Sequence, residues 1–186
     1  AARLREICTR VADLARCADV DRLMTGLRRA RAEAALLIGL ADLGGVWDVD
    51  TVTAALSDFA GAAISATADF LLDEAHRAGQ ILLPHPGEPS RGSGWILLGM
   101  GKLGAFELNY SSDIDLIVLF DPEIAPVVDR DEIGGFFVRL TRRLVRILQE
   151  RTGDGYVFRT DLRLRPDPGS TPLAVSTIAA FTYYEA

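Results

Sequence analysis

The fold is decided by residues 95–121, which read WILLGMGKLGAFELNYSSDIDLIVLFD. An apolar run ends in a glycine-rich turn, and a short polar connection leads to a second apolar run that opens with two aspartates. Because side chains alternate between the two faces of a strand, Asp113 and Asp115 are expected on the same side. Two adjacent carboxylates repel each other, and a divalent cation is the simplest reason to keep them together. The spacing alone leaves open a pair of solvated strand-end aspartates.

A second acidic position lies in residues 156–166, which read YVFRTDLRLRP. Alternation along a predicted third strand places Arg159, Asp161 and Arg163 on one face, and Arg165 joins them if the strand continues. One acid among arginines is by itself typical of a salt-bridged strand face. Together with the aspartate pair, however, Asp161 would complete a three-carboxylate metal site, and the arginines could hold phosphate oxygens.

The order of elements predicts an α+β fold, in which a small mixed sheet is backed by helices and preceded by a helical segment. Proline and glycine cluster in residues 79–94 and mark the best internal boundary, so we expect a helical segment at 1–90 and a sheet-containing core at 91–186. Gly44-Gly45 should end the second helix, and Asp50 or Thr51 should cap the third. The third helix should present one long packing stripe: Val52, Leu56, Phe59, Ala63, Ala66 and Phe70.

Composition narrows the class of protein. The chain has 186 residues, is 49% hydrophobic and 25% charged, and carries a net charge of −6. The acidic balance argues against a nucleic-acid partner, and the Arg28-Arg29-x-Arg31 cluster is expected to be a solvated helix face. No signal peptide or membrane span is predicted, because the apolar runs are only strand-length. The chain begins without Met and stops within a predicted helix, so we expect it to be a fragment of a longer protein.

The two cysteines predict a reducing compartment. Cys8 and Cys17 are expected in one helix, where nine residues separate them by roughly 13 Å, too far for a disulfide. Free thiols favour a cytoplasmic location.

The turn Gly99-x-Gly101-x-x-Gly104 formally matches a dinucleotide-binding fingerprint. Residues 105–112, however, are too few for the crossover helix of such a fold, and a dinucleotide fold has no use for the aspartate pair. We favour a phosphate-binding turn, in which backbone N–H groups approach phosphate oxygens and Lys102 adds a positive charge. Phosphates beside a carboxylate-held metal indicate phosphoryl or nucleotidyl transfer.

These motifs resemble a known family. The glycine turn, Ser-Asp-x-Asp and the distant third aspartate resemble the DNA polymerase β-like nucleotidyltransferase superfamily. More closely, GMGKLGAFELNYSSDIDLIVLF and GYVFRTDLRLRPDPGSTPLAVS resemble the bifunctional glutamine synthetase adenylyltransferase/adenylyl-removing enzymes. Asn-Tyr-Ser-Ser before Asp113 and Gly-Tyr-Val-Phe-Arg before Thr160 are more similar to the adenylyl-removing domain, since the other domain tends to have glycine where Ser111 stands.

The resemblance implies a metal-dependent enzyme with a nucleotidyltransferase core at 91–186. It would use orthophosphate to remove AMP from a tyrosine of glutamine synthetase, releasing ADP. The catalytic ligands of one or two Mg²⁺ ions would be Asp113, Asp115 and Asp161. Nucleotide and phosphate would contact Gly99, Gly101, Lys102 and Ser112, and strand parity adds Arg163 and Arg165 for the orthophosphate. A PII-type regulatory protein is a further implied partner. Forward adenylyl transfer from ATP and a non-catalytic regulatory or docking role remain alternatives.

Overall fold

The first half of the chain is a packed layer of helices. A computed structural model describes residues 2–185. In this half it has α1 (Ala2–Asp13), a 3₁₀ turn (Leu14–Arg16), α2 (Val20–Leu43) and α3 (Val49–Arg77). On α1 the buried residues follow helical spacing and face α3: Leu4, Ile7 and Val11. The predicted helical segment therefore consists of three helices.

Aspartates define where the second and third helices begin. Asp19 accepts a hydrogen bond from the backbone N–H of Arg22, and Asp48 accepts one from Thr51 at 2.9 Å. The prediction that Asp50 or Thr51 caps α3 was therefore wrong. Asp48 is the cap because its side chain reaches the free N–H three residues ahead. The predicted end of α2 is confirmed, since the helix stops at Gly44.

Helix α3 is the core helix of this layer. Its predicted packing stripe is confirmed, with Leu56 only half-buried and the other five members buried: Val52, Phe59, Ala63, Ala66 and Phe70. By length and composition α3 is the one helix within residues 2–185 that could cross a membrane, but 67% of its apolar window is buried inside the protein. That burial is the pattern of a helix enclosed by its own fold.

The second half contains a small mixed sheet with helices. Strand β1 (Trp95–Gly99) runs antiparallel to β2 (Ile114–Phe120), and β2 pairs in parallel with β3 (Thr160–Asp161) near its start and β4 (Val175–Ser176) near its end. Three helices complete the layer: α4 (Gly101–Gly104), α5 (Ile133–Gln149) and α6 (Thr177–Glu185). The predicted α+β class with a small mixed sheet is confirmed. An antiparallel β1–β2 pair joined through a four-residue helix also differs from the parallel crossover of a dinucleotide fold.

One hydrophobic core joins the two halves. Helix α5 packs the ring of Phe137 against Phe120 of β2, with the ring centroids 5.1 Å apart. Buried side chains form a continuous cluster from Leu4 in α1 to Ala174 beside β4. This core runs across the loop between α3 and β1.

Two sequence expectations about α1 and α2 were wrong. Cys8 lies in α1 while Cys17 follows the 3₁₀ turn, so the two free thiols do not share a helix. The arginine cluster of α2 is not a solvated face: Arg28 is 1% exposed and Arg31 is partly buried, and only Arg29 is open to solvent.

The reason for the arginine burial lies at the end of α5. Arg28 donates hydrogen bonds to the carbonyl oxygens of Ile147, Glu150 and Gly155, and also to Met24 one turn earlier in its own helix. The last carbonyls of a helix have no partner within that helix, and a guanidinium offers five donors to satisfy them. Arg28 therefore joins α2 to the C-terminal end of α5.

Candidate active site

The three predicted acids meet at the start of β2. Asp113 immediately precedes the strand, Asp115 is its second residue, and the parallel register places Asp115 beside Asp161 of β3. Residues paired across adjacent strands project to the same face of a sheet, and so do residues two apart along one strand. Asp113, Asp115 and Asp161 therefore share one sheet face, as the sequence predicted.

The predicted third strand is much shorter than expected. Only Thr160 and Asp161 form a strand, and a turn begins at Arg163. The Asp161 carboxylate accepts a hydrogen bond from the backbone N–H of Arg163 at 2.8 Å, which bends the chain into a side-chain-mediated turn. Pro166, which has no N–H to donate, follows shortly afterwards. Strand parity therefore does not extend past Asp161, and the expectation of a longer strand was wrong.

Arginines bind two of the three carboxylates. Arg159 Nε lies 2.5 Å from Asp113 Oδ1, and its Nη2 donates to the Ser111 carbonyl at 2.9 Å. Arg163 donates to both oxygens of Asp161, and this guanidinium lowers the pKa of the Asp161 carboxyl. Because both pairs are open to solvent on the arginine side, each contributes little to stability. These ion pairs can therefore be exchanged for other partners at small cost.

Asp115 is the carboxylate with the least compensation. Among residues 2–185 no arginine or lysine lies within ion-pair distance of it. Burial raises the pKa of Asp115, and the neighbouring charges of Asp161 and Asp113 raise it further. The site thus holds a local excess of negative charge that a cation would relieve.

The glycine turn lies directly against Asp115. Gly101 has a φ of +52°, and a Cβ at this position would lie 2.8 Å from Asp115 Oδ2. The Met100 N–H donates to the Asp115 carbonyl at 2.9 Å. A Cβ on Gly104 would lie 2.5 Å from the Gly99 carbonyl oxygen, so glycine also lets α4 fold back on β1. The turn is therefore fixed beside the carboxylates, although the four residues of α4 add little helix dipole.

Lys102 and Ser112 have different surroundings. Lys102 is exposed on α4, and within the described chain no carboxylate lies in ion-pair distance of its ammonium group. The Ser112 hydroxyl donates to Asn109 Oδ1 at 2.8 Å and accepts from the Asn109 N–H at 3.3 Å. Lys102 is thus available to a ligand, whereas Ser112 already holds the loop that leads into β2.

Arg165 is bound by its own loop. Its guanidinium donates to the carbonyl oxygens of Leu162 at 2.7 Å, Pro168 at 2.8 Å and Thr171 at 3.3 Å. These bonds close the turn after β3. The predicted contact of Arg165 with orthophosphate would require the side chain to give up these carbonyls.

The donor chemistry of the site suits a hard divalent cation. Three carboxylates on one sheet face are the oxygen ligands that Mg²⁺ prefers. Over residues 2–185, however, no three His, Cys, Asp or Glu side chains are arranged as ligands of one ion. Arg159 and Arg163 occupy Asp113 and Asp161, so the residues fit a cation once these arginines move away.

The sequence placed Arg159 among the arginines that could hold phosphate oxygens, but it did not predict its ion pair with Asp113. The register explains its contact: Thr160 is opposite Ile114, so Arg159 lies opposite Asp113, one step earlier on each strand. The alternation of residues 156–166 places Arg159 on the same face as Asp161. Its pairing with Asp113 follows only from the parallel register of β2 and β3.

A mixed sheet with acids on neighbouring strands beside a glycine turn is the arrangement expected for phosphoryl or nucleotidyl transfer. The sequence profile of glutamate-ammonia ligase adenylyltransferase matches residues 2–186, and the chain belongs to this family.

Curated relatives agree with this membership. The chain is 58% identical over 187 residues to the bifunctional glutamine synthetase adenylyltransferase/adenylyl-removing enzyme of Mesorhizobium japonicum, covering 100% of the chain and 19% of that protein. It is 59% identical over 163 residues to the same enzyme of Rhizobium meliloti, covering 88% of the chain and 16% of that protein. For the enzyme of Xanthobacter autotrophicus the identity is 55% over 184 residues, covering 99% of the chain and 18% of that protein. The resemblance predicted from the motifs is confirmed, and the chain spans less than a fifth of these relatives' length.

Proposed function

We propose that the chain is the nucleotidyltransferase core of an enzyme that removes AMP from adenylylated glutamine synthetase. The observation that carries the proposal is the convergence of Asp113, Asp115 and Asp161 beside the glycine turn. Family membership and the printed names of the relatives supply the substrate class.

The proposed reaction is phosphorolysis. An oxygen of hydrogen phosphate attacks the phosphorus of the AMP–tyrosine linkage, and the bond between that phosphorus and the tyrosine oxygen breaks. The new P–O–P bond makes ADP, and the proton of hydrogen phosphate passes to the tyrosine oxygen. The phosphate and the partner supply both reacting oxygens, so the chain's task is to bind and orient them.

The residues divide this task. Asp113, Asp115 and Asp161 would hold Mg²⁺, which when bound screens the charge of the phosphates. Gly101 lies directly against Asp115, so the glycine turn would hold the AMP phosphate beside the carboxylates, with Lys102 as an added positive charge. Arg159 and Arg163 would leave the carboxylates and become available to phosphate oxygens.

Local sequence supports removal of AMP over its addition. Asn-Tyr-Ser-Ser leads into Asp113 and Gly-Tyr-Val-Phe-Arg leads into Thr160, the features that resemble the adenylyl-removing domain. The same carboxylates would serve forward transfer from ATP, because both reactions pass through attack on the same phosphorus. A PII-type regulatory partner and a cytoplasmic location are expected on the same family grounds.

The test is ADP release from adenylylated glutamine synthetase. We expect release to require both Mg²⁺ and orthophosphate. Asp113→Asn and Asp161→Asn should each lower the rate by more than the about 10- to 100-fold that loss of a residue merely orienting a metal ligand costs. Full activity in both variants would contradict the proposal. Incorporation of label from ATP into unmodified glutamine synthetase, without phosphate-dependent release, would indicate the forward reaction instead.

A non-catalytic docking role makes a different prediction. A docking fragment should bind its partner without needing nucleotide or metal. Mg²⁺-dependent binding of ADP by the chain, lost in Asp115→Asn, would support the enzyme and contradict the docking role.

A further inference from the structure

Two cavities flank the carboxylates on the side of α5. One, of about 430 Å³, is lined by two of the acids and by three arginines: Asp113, Asp161, Arg142, Arg163 and Arg165. The second, of about 420 Å³, includes Arg142 and Arg159. Arg142 therefore borders both cavities, and it lies on the exposed face of α5.

The other arginines around these cavities already have partners. Arg159 binds Asp113, Arg163 binds Asp161, and Arg165 binds three carbonyl oxygens. Arg142 is exposed, and no carboxylate within residues 2–185 lies in ion-pair distance of it. The other arginines that line these cavities would each have to give up a partner to bind an anion. Within residues 2–185, the Arg142 guanidinium has no such partner to lose.

The neighbouring arginines of α5 differ from Arg142 in that each forms an ion pair. Arg139 pairs with Glu132, Arg143 with Glu74 and Arg146 with Glu150. Each of them has an acid supplied by its surroundings. Arg142, which faces the carboxylates of the site, has none within the described chain.

We propose that Arg142 binds the orthophosphate that attacks the adenylyl group. The inference rests on the proposed function and names the residue that recognises the second substrate. A doubly charged phosphate is repelled by Asp113 and Asp161, so it needs a cation at the edge of their cavity. A guanidinium presents two parallel N–H donors that match two phosphate oxygens. Gln149 also lines both cavities and offers an amide donor two turns further along α5.

The test is the dependence of ADP release on phosphate concentration in the enzyme that contains this chain. Hydrogen bonds to charged groups contribute enough that Arg142→Gln should raise KM for phosphate by about 10-fold or more. KM for adenylylated glutamine synthetase should stay within about twofold of wild type, since Arg142 is assigned no contact with that substrate. Arg142→Lys, which keeps the charge but loses the fork of donors, should give an intermediate KM for phosphate.

Arg139→Gln is the matched control. It removes the same charge from the same helix, but its side chain pairs with Glu132 and does not line either cavity. We expect KM for phosphate to be unchanged in this variant. A separate titration with Mn²⁺ should give the same metal affinity for Arg142→Gln and wild type within about twofold, because the substituted residue is not a ligand.

The outcomes separate this inference from the proposed function. If Arg142→Gln leaves KM for phosphate unchanged while Asp161→Asn abolishes ADP release, Arg142 is not the phosphate residue and the proposed function stands. If Arg142→Gln and Arg139→Gln raise KM for phosphate equally, the effect is one of net charge and the inference is overturned. If Asp113→Asn and Asp161→Asn retain full activity, the proposed function itself fails.

Discussion

Arg28 and Arg159 both donate to backbone carbonyl oxygens, yet their surroundings are opposite. Arg28 is 1% exposed and all its partners are carbonyls, whereas the Arg159 side chain is 59% exposed and its closest partner is the carboxylate of Asp113. A buried guanidinium that satisfies helix-end carbonyls cannot leave without exposing unpaired acceptors. An exposed guanidinium on a carboxylate can leave at small cost. Burial and partner type thus separate an arginine that holds the fold from one that can be exchanged during function.

The largest effect of this contrast is expected on stability. Arg28→Ala should lower the free energy of unfolding by at least about 3 kcal/mol, because each buried carbonyl left without a donor costs about 1–3 kcal/mol. Urea denaturation followed by circular dichroism measures this change. Arg29→Gln, at the exposed neighbouring position, should change stability by no more than about 0.5 kcal/mol. Equal losses of stability in Arg28→Ala and Arg29→Gln would contradict the structural role assigned to Arg28.

A smaller effect is expected on metal affinity. Arg159→Gln removes the cation that competes for Asp113, so affinity for Mn²⁺ should rise. An exposed ion pair is weak, which limits the gain in affinity to about fivefold. Thermal denaturation should show little change, in contrast to Arg28→Ala. Weaker metal binding in Arg159→Gln would mean that this arginine supports the site instead of competing for it.

The smallest effect concerns Asp115 and pH. Its pKa is raised in the folded chain by burial and by two neighbouring acids. Protonation therefore favours the fold: the stability it contributes is present below the unfolded pKa of aspartate and is lost as pH rises through the folded pKa. At neutral pH the ionised group disfavours the folded, metal-free chain, so Asp115→Asn should raise Tm slightly.

The control for this prediction is the same melt at acidic pH. The difference between Asp115→Asn and wild type should shrink as pH falls, because wild-type Asp115 then becomes neutral as well. A variant that is less stable than wild type at neutral pH would contradict this account of the site's charge.

Much of the site could be predicted because it depends on local patterns. Alternation places Asp113 and Asp115 on one face, and the order of elements indicates that Asp161 lies on a neighbouring strand. The glycine turn is likewise local, since Gly101 contacts Asp115 only fourteen positions later. Such features can be predicted from sequence because they depend only on strand periodicity and short connections.

The remaining features depend on contacts between distant parts of the chain. Three of the four carbonyls that accept hydrogen bonds from Arg28 lie more than a hundred residues away, so no window around the α2 cluster could reveal them. The early end of β3 and the capture of Arg165 depend on a loop held by its own carbonyls. Asp48, in contrast, was a missed local signal, because its N-cap position is readable from sequence.

The proposed function requires Asp113, Asp115 and Asp161 to act as one metal site. Titration with Mn²⁺, followed by the loss of its free-ion electron paramagnetic resonance signal, measures this most directly. We expect saturable binding by wild type and a loss of affinity of about 10-fold or more in Asp161→Asn, since a ligand contributes at least as much as the residues that orient it. Arg142→Gln should match wild type in the same assay. Identical Mn²⁺ affinity in wild type and Asp161→Asn would contradict the claim, because β3 would then contribute nothing to the metal.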